Sequence, residues 1–165
     1  MTLVIGDKIV GGLAMSGKIV EGLAAGNTIL YRRSGTTPPQ TQAPTLSLDG
    51  LSESGEVLIG NVDQSVTFNG GVPGTNVVIY LSFDTNSRPW TMALVDENGE
   101  FGRAELLPDG TLVLSEDMQA DTVDLVNNYA DFGLTGYSLP PSGGLTVQIV
   151  SGNPTILLAS VIDDS

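Results

Sequence analysis

The heptapeptide VVIYLSF at residues 77–83 is the strongest single indication of the fold in this sequence. Valine, isoleucine, tyrosine and phenylalanine are enriched in strands, and a short apolar run bounded by turn residues is typical of a buried strand. The run lies between VPGTN and DTNSRP, which are both rich in turn formers. We therefore predict a central strand here, with Trp90 beside it in the core.

The sequence on both sides of this run has the same all-β rhythm of short apolar segments and turns. Asn98-Gly99 within DENGE and Asp109-Gly110 within LPDGTL suit tight hairpin turns, and residues 127–141 form the longest irregular stretch. No helix is expected beyond a turn near residues 116–120. The spacing fits a packed β-sandwich or barrel. Strands are predicted at residues 45–48, 56–59, 65–68, 77–83, 91–95, 102–107, 111–114, 122–126, 145–150 and 155–161.

A proline-containing segment divides the chain. Residues 34–44, SGTTPPQTQAP, have no apolar periodicity and hold three prolines, which predicts an extended linker. A chain of 165 residues has room for one ordinary domain and an appendage. We therefore expect an N-terminal arm at residues 1–33 and an acidic β-sandwich domain at residues 45–165.

The arm contains a ten-residue repeat. KIVGGLAMSG at residues 8–17 and KIVEGLAAGN at residues 18–27 agree at six of ten positions, and a weaker third copy begins at Thr28. Each glycine inside a helix costs about 1 kcal/mol relative to alanine. Although the apolar spacing also fits a helix, the six arm glycines favour short strands such as LVI, KIV and TILY with turns at GD, SG and GN.

An isolated hairpin is barely stable in water, so we expect other chains to complete the arm. Homo-oligomerisation or docking through apolar contacts is the expected role, with Lys18 and Arg32 pairing with acidic neighbours. The predicted interaction residues are Ile9, Leu13, Lys18, Ile19, Leu23, Ile29, Tyr31 and Arg32.

Composition excludes several classes of function. The net charge is −13: residues 1–44 carry +2, and residues 45–165 carry two arginines against 17 acidic residues. Nucleic-acid binding needs clustered basic residues and is disfavoured. The chain has no cysteine and no histidine, which removes disulfides, thiolate metal sites and the usual general base. No signal peptide and no apolar run of about 20 residues is present, so we expect a soluble protein without membrane contact or cofactor.

Acidic residues offer only weak candidates for chemistry. Asp96, Asn98 and Glu100 in DENGE could present oxygens to calcium, but no bidentate glutamate or flanking helix follows, so a polar hairpin tip is favoured. A hydrolase needs one carboxyl with a raised pKa. Asp131 lies between the aromatic residues Tyr129 and Phe132, but nothing else in the sequence indicates that its pKa is raised. We expect no enzyme.

Three aromatic residues of the irregular stretch form another candidate set. Tyr129, Phe132 and Tyr137 could bind a sugar or a partner surface if they are exposed on a loop. Buried, they would fill the core together with Trp90. Burial is favoured, with the 127–141 loop as the main exception.

Two segments resemble proteins of bacteriophages. IGDKIVGGLAMSGKIVEGLAAGNTILYRR resembles the glycine-turn repeats at the N-termini of phage structural proteins, with Leu30-Tyr31 at the closing pair, although its alanine-rich centres differ. GGVPGTNVVIYL followed by ALVDENGEFGRAEL is similar to immunoglobulin-like domains of bacteria and phages. The resemblance implies a virion structural protein with an immunoglobulin-like β-sandwich, and it supplies no catalytic residues.

The expected function is therefore that of a phage capsid decoration or cement protein, assembled in the host cytoplasm and located in the virion. A homotrimer is expected by analogy with such proteins, with the major capsid protein or another virion protein as partner. Two alternatives stay open: a tail-fibre or receptor-binding protein that contacts host glycans through the aromatic set, and a surface adhesin or small glycan hydrolase.

Overall fold

A computed structural model gives the fold of the chain. It describes residues 43–51 and 55–164 in full and, within residues 1–42, the backbone of six short strands. The chain divides into two compact units, Met1–Gln42 and Ala43–Ser165, and the boundary falls within the predicted linker. Among the described residues no helix is long and apolar enough to cross a membrane.

The first unit consists of three antiparallel hairpins, each a separate two-stranded sheet. The paired strands of each hairpin are separated by two residues, at the predicted turn positions GD, SG and GN. The first hairpin begins at Leu3 and the second at Leu13, so the hairpins repeat with the same ten-residue period as the sequence. The strands are β1 (Leu3–Ile5), β2 (Lys8–Val10), β3 (Leu13–Met15), β4 (Lys18–Val20), β5 (Gly22–Ala25) and β6 (Thr28–Arg32).

The hairpins cross the boundaries of the sequence repeat. β2 and β4 are the two KIV segments, yet β2 pairs backwards with β1, while β4 pairs backwards with β3. Leu3 opposite Val10 and Leu13 opposite Val20 show that the first two hairpins share one register. The third hairpin, β5 with β6, contains a register shift between Leu23 and Ala24. The structural unit of the arm is thus a hairpin, displaced by five residues from the repeat seen in the sequence.

The second unit is a sandwich of two sheets, and the predicted all-β fold is confirmed. One sheet has the order β14-β15-β10-β17-β8 and the other β13-β12-β11-β16-β9-β7. The strands are β7 (Thr45–Ser47), β8 (Glu56–Ile59), β9 (Val66–Asn69), β10 (Asn76–Asp84), β11 (Trp90–Asp96), β12 (Gly99–Leu106), β13 (Leu112–Leu114), β14 (Gln119–Asp124), β15 (Tyr129–Ser138), β16 (Leu145–Ser151) and β17 (Ile156–Asp163).

The strand order refines the immunoglobulin-like expectation. Within the sheets lie two antiparallel quartets, β8-β17-β10-β15 and β9-β16-β11-β12. The eight strands of these quartets can be lettered B to I in chain order, which leaves out β7, β13 and β14. The quartets then have the orders BIDG and CHEF, which is the strand order of a jelly roll with its two Greek keys. An immunoglobulin domain pairs its strands as ABED and CFG instead. β7, β13 and β14 are additions at the sheet edges.

The core lies between the sheets and explains the alternation in the sequence. In β10, Val77, Ile79, Leu81 and Phe83 are fully buried, while the residues between them point outward. Trp90 is buried at the start of β11, as predicted. Its indole nitrogen donates a hydrogen bond to the Asp84 carbonyl at 2.9 Å, so the one polar atom of this side chain is satisfied.

The prediction of an irregular stretch at residues 127–141 is wrong. Most of it is β15, a ten-residue strand that pairs with β10 on one side and β14 on the other. Gly133 and Gly136 weaken the local signal for a strand, because glycine is depleted in sheets. Pairing on both sides outweighs that preference. Gly133 is required by its position, since a Cβ there would lie 2.1 Å from the Ile79 carbonyl oxygen.

Candidate functional site

The predicted interaction residues of the arm all lie in its strands. Ile9 is in β2, Leu13 in β3, Lys18 and Ile19 in β4, Leu23 in β5, and Ile29, Tyr31 and Arg32 in β6. The register places Leu23 opposite Tyr31 and Ile29 opposite Ala24 in the third hairpin. In the second, Ile19 is opposite Ala14. Only Leu23 and Tyr31 are paired with each other, and the other predicted residues lie opposite strand residues outside the predicted set.

The aromatic recognition set is not a set in the structure. Phe132 is fully buried and packs with Phe83 and Trp90, at ring-centroid distances of 5.5 and 6.1 Å. Its proposed role in surface recognition is therefore wrong, because β15 alternates and residue 132 faces the core. Tyr129 and Tyr137 are half-buried, at opposite ends of the strand.

Tyr137 is engaged within the domain. Its ring stacks on Phe101 with centroids 4.1 Å apart, and its hydroxyl donates to the Asp96 carboxylate at 2.6 Å. Burial and the bond to Asp96 raise the pKa of Tyr137 above its ordinary value. This tyrosine therefore joins β15 to the β11–β12 hairpin and leaves little polar capacity for a ligand.

The DENGE carboxylates are also committed to partners. Asp96 accepts hydrogen bonds from Tyr137 and from the backbone nitrogen of Asn98, the latter at 2.6 Å. Both oxygens of Glu100 accept from the Arg103 guanidinium, which lowers the pKa of that exposed carboxyl. The turn lies at residues 97–98, one residue before the predicted tip. In the part of the chain described, no group of three or more acidic residues could hold a metal ion.

In other turns, too, an aspartate carboxylate accepts hydrogen bonds from backbone nitrogens. The Asp109 carboxylate accepts from the backbone nitrogen of Thr111, and the Asp124 carboxylate accepts from those of Val126 and Asn127, at 2.8–2.9 Å. These backbone bonds hold the pKa of both carboxyls below the ordinary value. Such Asx turns stabilise tight connections between strands. Part of the acidity of the domain therefore has a structural purpose.

Asp84, at the end of β10, is a larger hydrogen-bonding centre. Its carboxylate accepts from the nitrogen and hydroxyl of Ser87, at 3.0 and 2.7 Å, and from the nitrogen of Thr155 at 2.5 Å. Burial opposes its ionisation, but these bonds prevail and lower its pKa. Since the Asp84 carbonyl also accepts from Trp90, this residue fixes the connection from β10 to β11.

A mixed polar and aromatic depression lies on the outer face of the five-stranded sheet, and sequence reasoning missed it. Tyr80 projects outward from β10, and its hydroxyl donates to the Asp121 carboxylate on β14 at 3.3 Å. Because β15 lies between these strands, the ring crosses β15, where Gly133 is the direct neighbour of Tyr80. Asp131 lies on the same face of β15, two residues before Gly133. A hollow of about 210 Å³ opens beside the ring.

Two β-bulges shape this depression. Asp121 is the extra residue of a bulge in β14, between Ala120 and Thr122. In β15, Thr135 and Gly136 together face Val78 alone, which forms a second bulge. Bulges re-aim side chains and occur often beside functional sites. Burial, together with the negative charges of Asp131 and Asp121 and the bond to Asp121, raises the pKa of Tyr80 to about 12.

The alternation of β10 could have identified Tyr80 as an outward-facing aromatic residue. Nothing local in the sequence indicates that residues 80, 121 and 131 meet, because the meeting depends on strand order and on the bulge.

Comparisons with known proteins give no indication of what this depression does. No protein-family model and no curated protein matches the chain. Among solved structures, a beta-glucosidase from Paenibacillus barengoltzii is similar at 11% identity and a TM-score of 0.41. The match covers 78% of this chain and 12% of the glucosidase. A likeness this weak carries no argument about what the chain does.

Proposed function

We propose that this chain is a bacteriophage virion structural protein, a capsid decoration protein that attaches through its N-terminal arm and displays the sandwich domain. The observation that supports the proposal best is the form of the arm. It consists of three separate two-stranded sheets whose strands are three to five residues long. Two-stranded hairpins of this size are marginal in water, so the arm needs partners that complete it.

The partners are sister arms and the shell of the particle. Each hairpin is a sheet of two strands, so both of its strands are edge strands. The addition of a strand from another chain at such an edge is a common mode of assembly. The strand sequences are mostly apolar, as in LVI and LAM, which suits burial between chains. Three sister arms around one axis give a trimer.

The domain supports a role in display. Its core is formed by its own residues, between positions 48 and 161, so the sandwich has what it needs to fold as a unit. The net charge of residues 45–165 is −15, which favours solubility and repulsion between crowded copies. Phe132, one of the three residues that suggested a glycan-contacting tail fibre, is in the core.

Light scattering on the full chain tests the proposal. A trimer of the 17.1 kDa chain has a mass of about 51 kDa. The double variant Ile9→Asp/Ile19→Asp places charges in two hairpins and should give monomers. Val126→Asp, at a domain position that is 88% exposed, is the matched control and should leave the mass unchanged.

Cosedimentation with virions of the encoding phage gives the second measurement. The full chain should bind the particles, and the arm variant should not. A chain that is monomeric and also fails to bind virions would refute the proposal.

A further inference from the structure

We propose that the depression beside Tyr80, on the outer face of the five-stranded sheet, binds a neutral glycan. This inference goes beyond the structural role proposed above and depends on different residues. The site is defined by Tyr80, Gln119, Asp121, Asp131, Gly133 and Thr135. It is hereafter called the Tyr80 site.

The Tyr80 ring supplies an apolar surface at the site. An outward-facing tyrosine on a strand offers an apolar face and a polar tip. Here the ring extends across Gly133, a position without a side chain, and its hydroxyl is held by Asp121. A ring anchored at both ends is a preorganised platform, and preorganisation lowers the entropy cost of binding. The face turned to solvent suits the C–H face of a sugar ring.

Polar side chains surround the Tyr80 ring. The site combines two carboxylates, the Gln119 amide and the Thr135 hydroxyl around an apolar ring. Carboxylates accept hydrogen bonds strongly, and the amide and hydroxyl can both donate and accept. A pyranose presents hydroxyl groups around its edge that can pair with such donors and acceptors. Because the pKa of Tyr80 is about 12, its phenol stays protonated and neutral near pH 7.

The charges around the Tyr80 site restrict the kind of ligand. Both arginines of the sandwich are occupied elsewhere: Arg88 donates to the Thr85 and Pro108 carbonyls, and Arg103 pairs with Glu100. No cation of the described domain is therefore available at the Tyr80 site to bind a phosphate, sulfate or uronic acid. The two carboxylates repel such groups. The ligand is accordingly a glycan without anionic groups.

The size of the hollow and the bulges beside it also suit a sugar ring. The hollow of about 210 Å³ is smaller than the roughly 300–1,000 Å³ of a pocket for a drug-sized molecule. It matches one sugar ring lying on an open face, with the rest of a chain extending along the sheet. Bulges in both β14 and β15 border the hollow, and the one in β14 aims Asp121 at Tyr80. Two departures from a regular ladder at one place are features of a built site.

Glycan binding by the full chain tests the proposal. The chain is applied to an array that carries neutral, cationic and anionic oligosaccharides, and the strongest neutral ligand is then titrated by calorimetry. Tyr80→Ala should weaken binding at least about tenfold, whereas Tyr80→Phe, which keeps the ring, should weaken it less. Tyr129→Ala is the matched control: it removes a half-buried tyrosine of the same sheet outside the Tyr80 site and should leave the affinity unchanged.

Asp121→Asn provides a second variant on an exposed edge strand, in case Tyr80→Ala fails to fold, and it should weaken binding severalfold. The absence of binding to every neutral oligosaccharide would overturn the proposal. Binding of charged oligosaccharides alone would overturn it too. So would a neutral ligand whose affinity responds equally to Tyr80→Ala and Tyr129→Ala.

Discussion

The arm and the sandwich are both built from β-strands, but the arm contains only local hairpins, whereas the sandwich combines local hairpins with pairs between strands that are distant in the sequence. In the arm, Ile5 pairs with Lys8 and Met15 with Lys18, so the first two hairpins are each complete within eight residues, and the third lies within residues 22–32. In the sandwich, Val57 pairs with Val161, 104 residues away. Local pairing is cheap in chain entropy but buries little, whereas distant pairing is costly and encloses a core. The arm therefore gains order from partners, and the domain gains it from its own closure.

Removing the central aromatic residue is the most severe test of that closure. Trp90 is fully buried, with its ring centroid 5.0 Å from that of Phe83. Trp90→Ala should destabilise the domain by about 3–5 kcal/mol, the usual cost of a large-to-small change in a core. Urea unfolding followed by circular dichroism measures this loss. Val126→Ala, at an exposed hairpin position, should change the stability by less than about 0.5 kcal/mol.

A smaller effect is expected at Asp84, which ties the end of β10 to Thr155, 71 residues away. Asp84→Ala should cost about 2 kcal/mol at pH 7, because it removes several hydrogen bonds to a half-buried carboxylate. The control is Asp164→Ala, at an exposed position near the C-terminus. Equal losses in the two variants would show that this distant connection contributes nothing.

The contribution of Asp84 also has a predictable pH dependence. Its pKa in the folded domain lies below the ordinary value of 3.8. A depressed pKa means that the stabilisation is fully present above the unfolded value and is lost as the pH falls through the folded value. The difference between wild type and Asp84→Ala, measured by unfolding across the acid range, should therefore be constant above about pH 5 and shrink below about pH 4. A difference that grows on acidification would contradict this assignment.

The smallest effect should come from the largest deletion. Removing residues 1–42 should change the free energy of unfolding of the sandwich by less than about 0.5 kcal/mol, since every residue of its core lies between positions 48 and 161. The measurement is denaturant unfolding of the truncated and full chains at low concentration. A loss of 2 kcal/mol or more would show that the arm contributes to the stability of the sandwich.

The sequence predicts strands well where burial alternates, and poorly where neighbours decide. The segment VVIYLSF predicts β10 correctly because residues 77, 79, 81 and 83 are all apolar and all buried in the core. β15 escapes detection because its glycines, and its polar residues on the outer face, look like a loop when they are read alone. The strand is determined by β10 and β14 on either side of it, and this information lies outside the segment.

The same limit applies to strand order and to the Tyr80 site. The jelly-roll order follows from pairs such as β9 with β16 and β8 with β17, which no local pattern encodes. Tyr80, Asp121 and Asp131 meet only because that order sets three strands side by side and a bulge turns one residue. For the arm the reverse holds: its pairs are local, so the glycine and valine pattern was enough to predict LVI, KIV and TILY as strands.

The position of β7 decides how a pull on the linker would be felt by the domain. β7 is an edge strand of three residues that follows the linker directly and runs parallel to β9. Tension would first reach the bond from the Thr67 nitrogen to the Pro44 carbonyl, and then the short ladder behind it. Beyond the ladder, Leu48 is fully buried and its nitrogen donates to the Asn69 carbonyl. Under force, β7 would thus separate from β9 first, while the buried Leu48 still holds the chain to the sandwich.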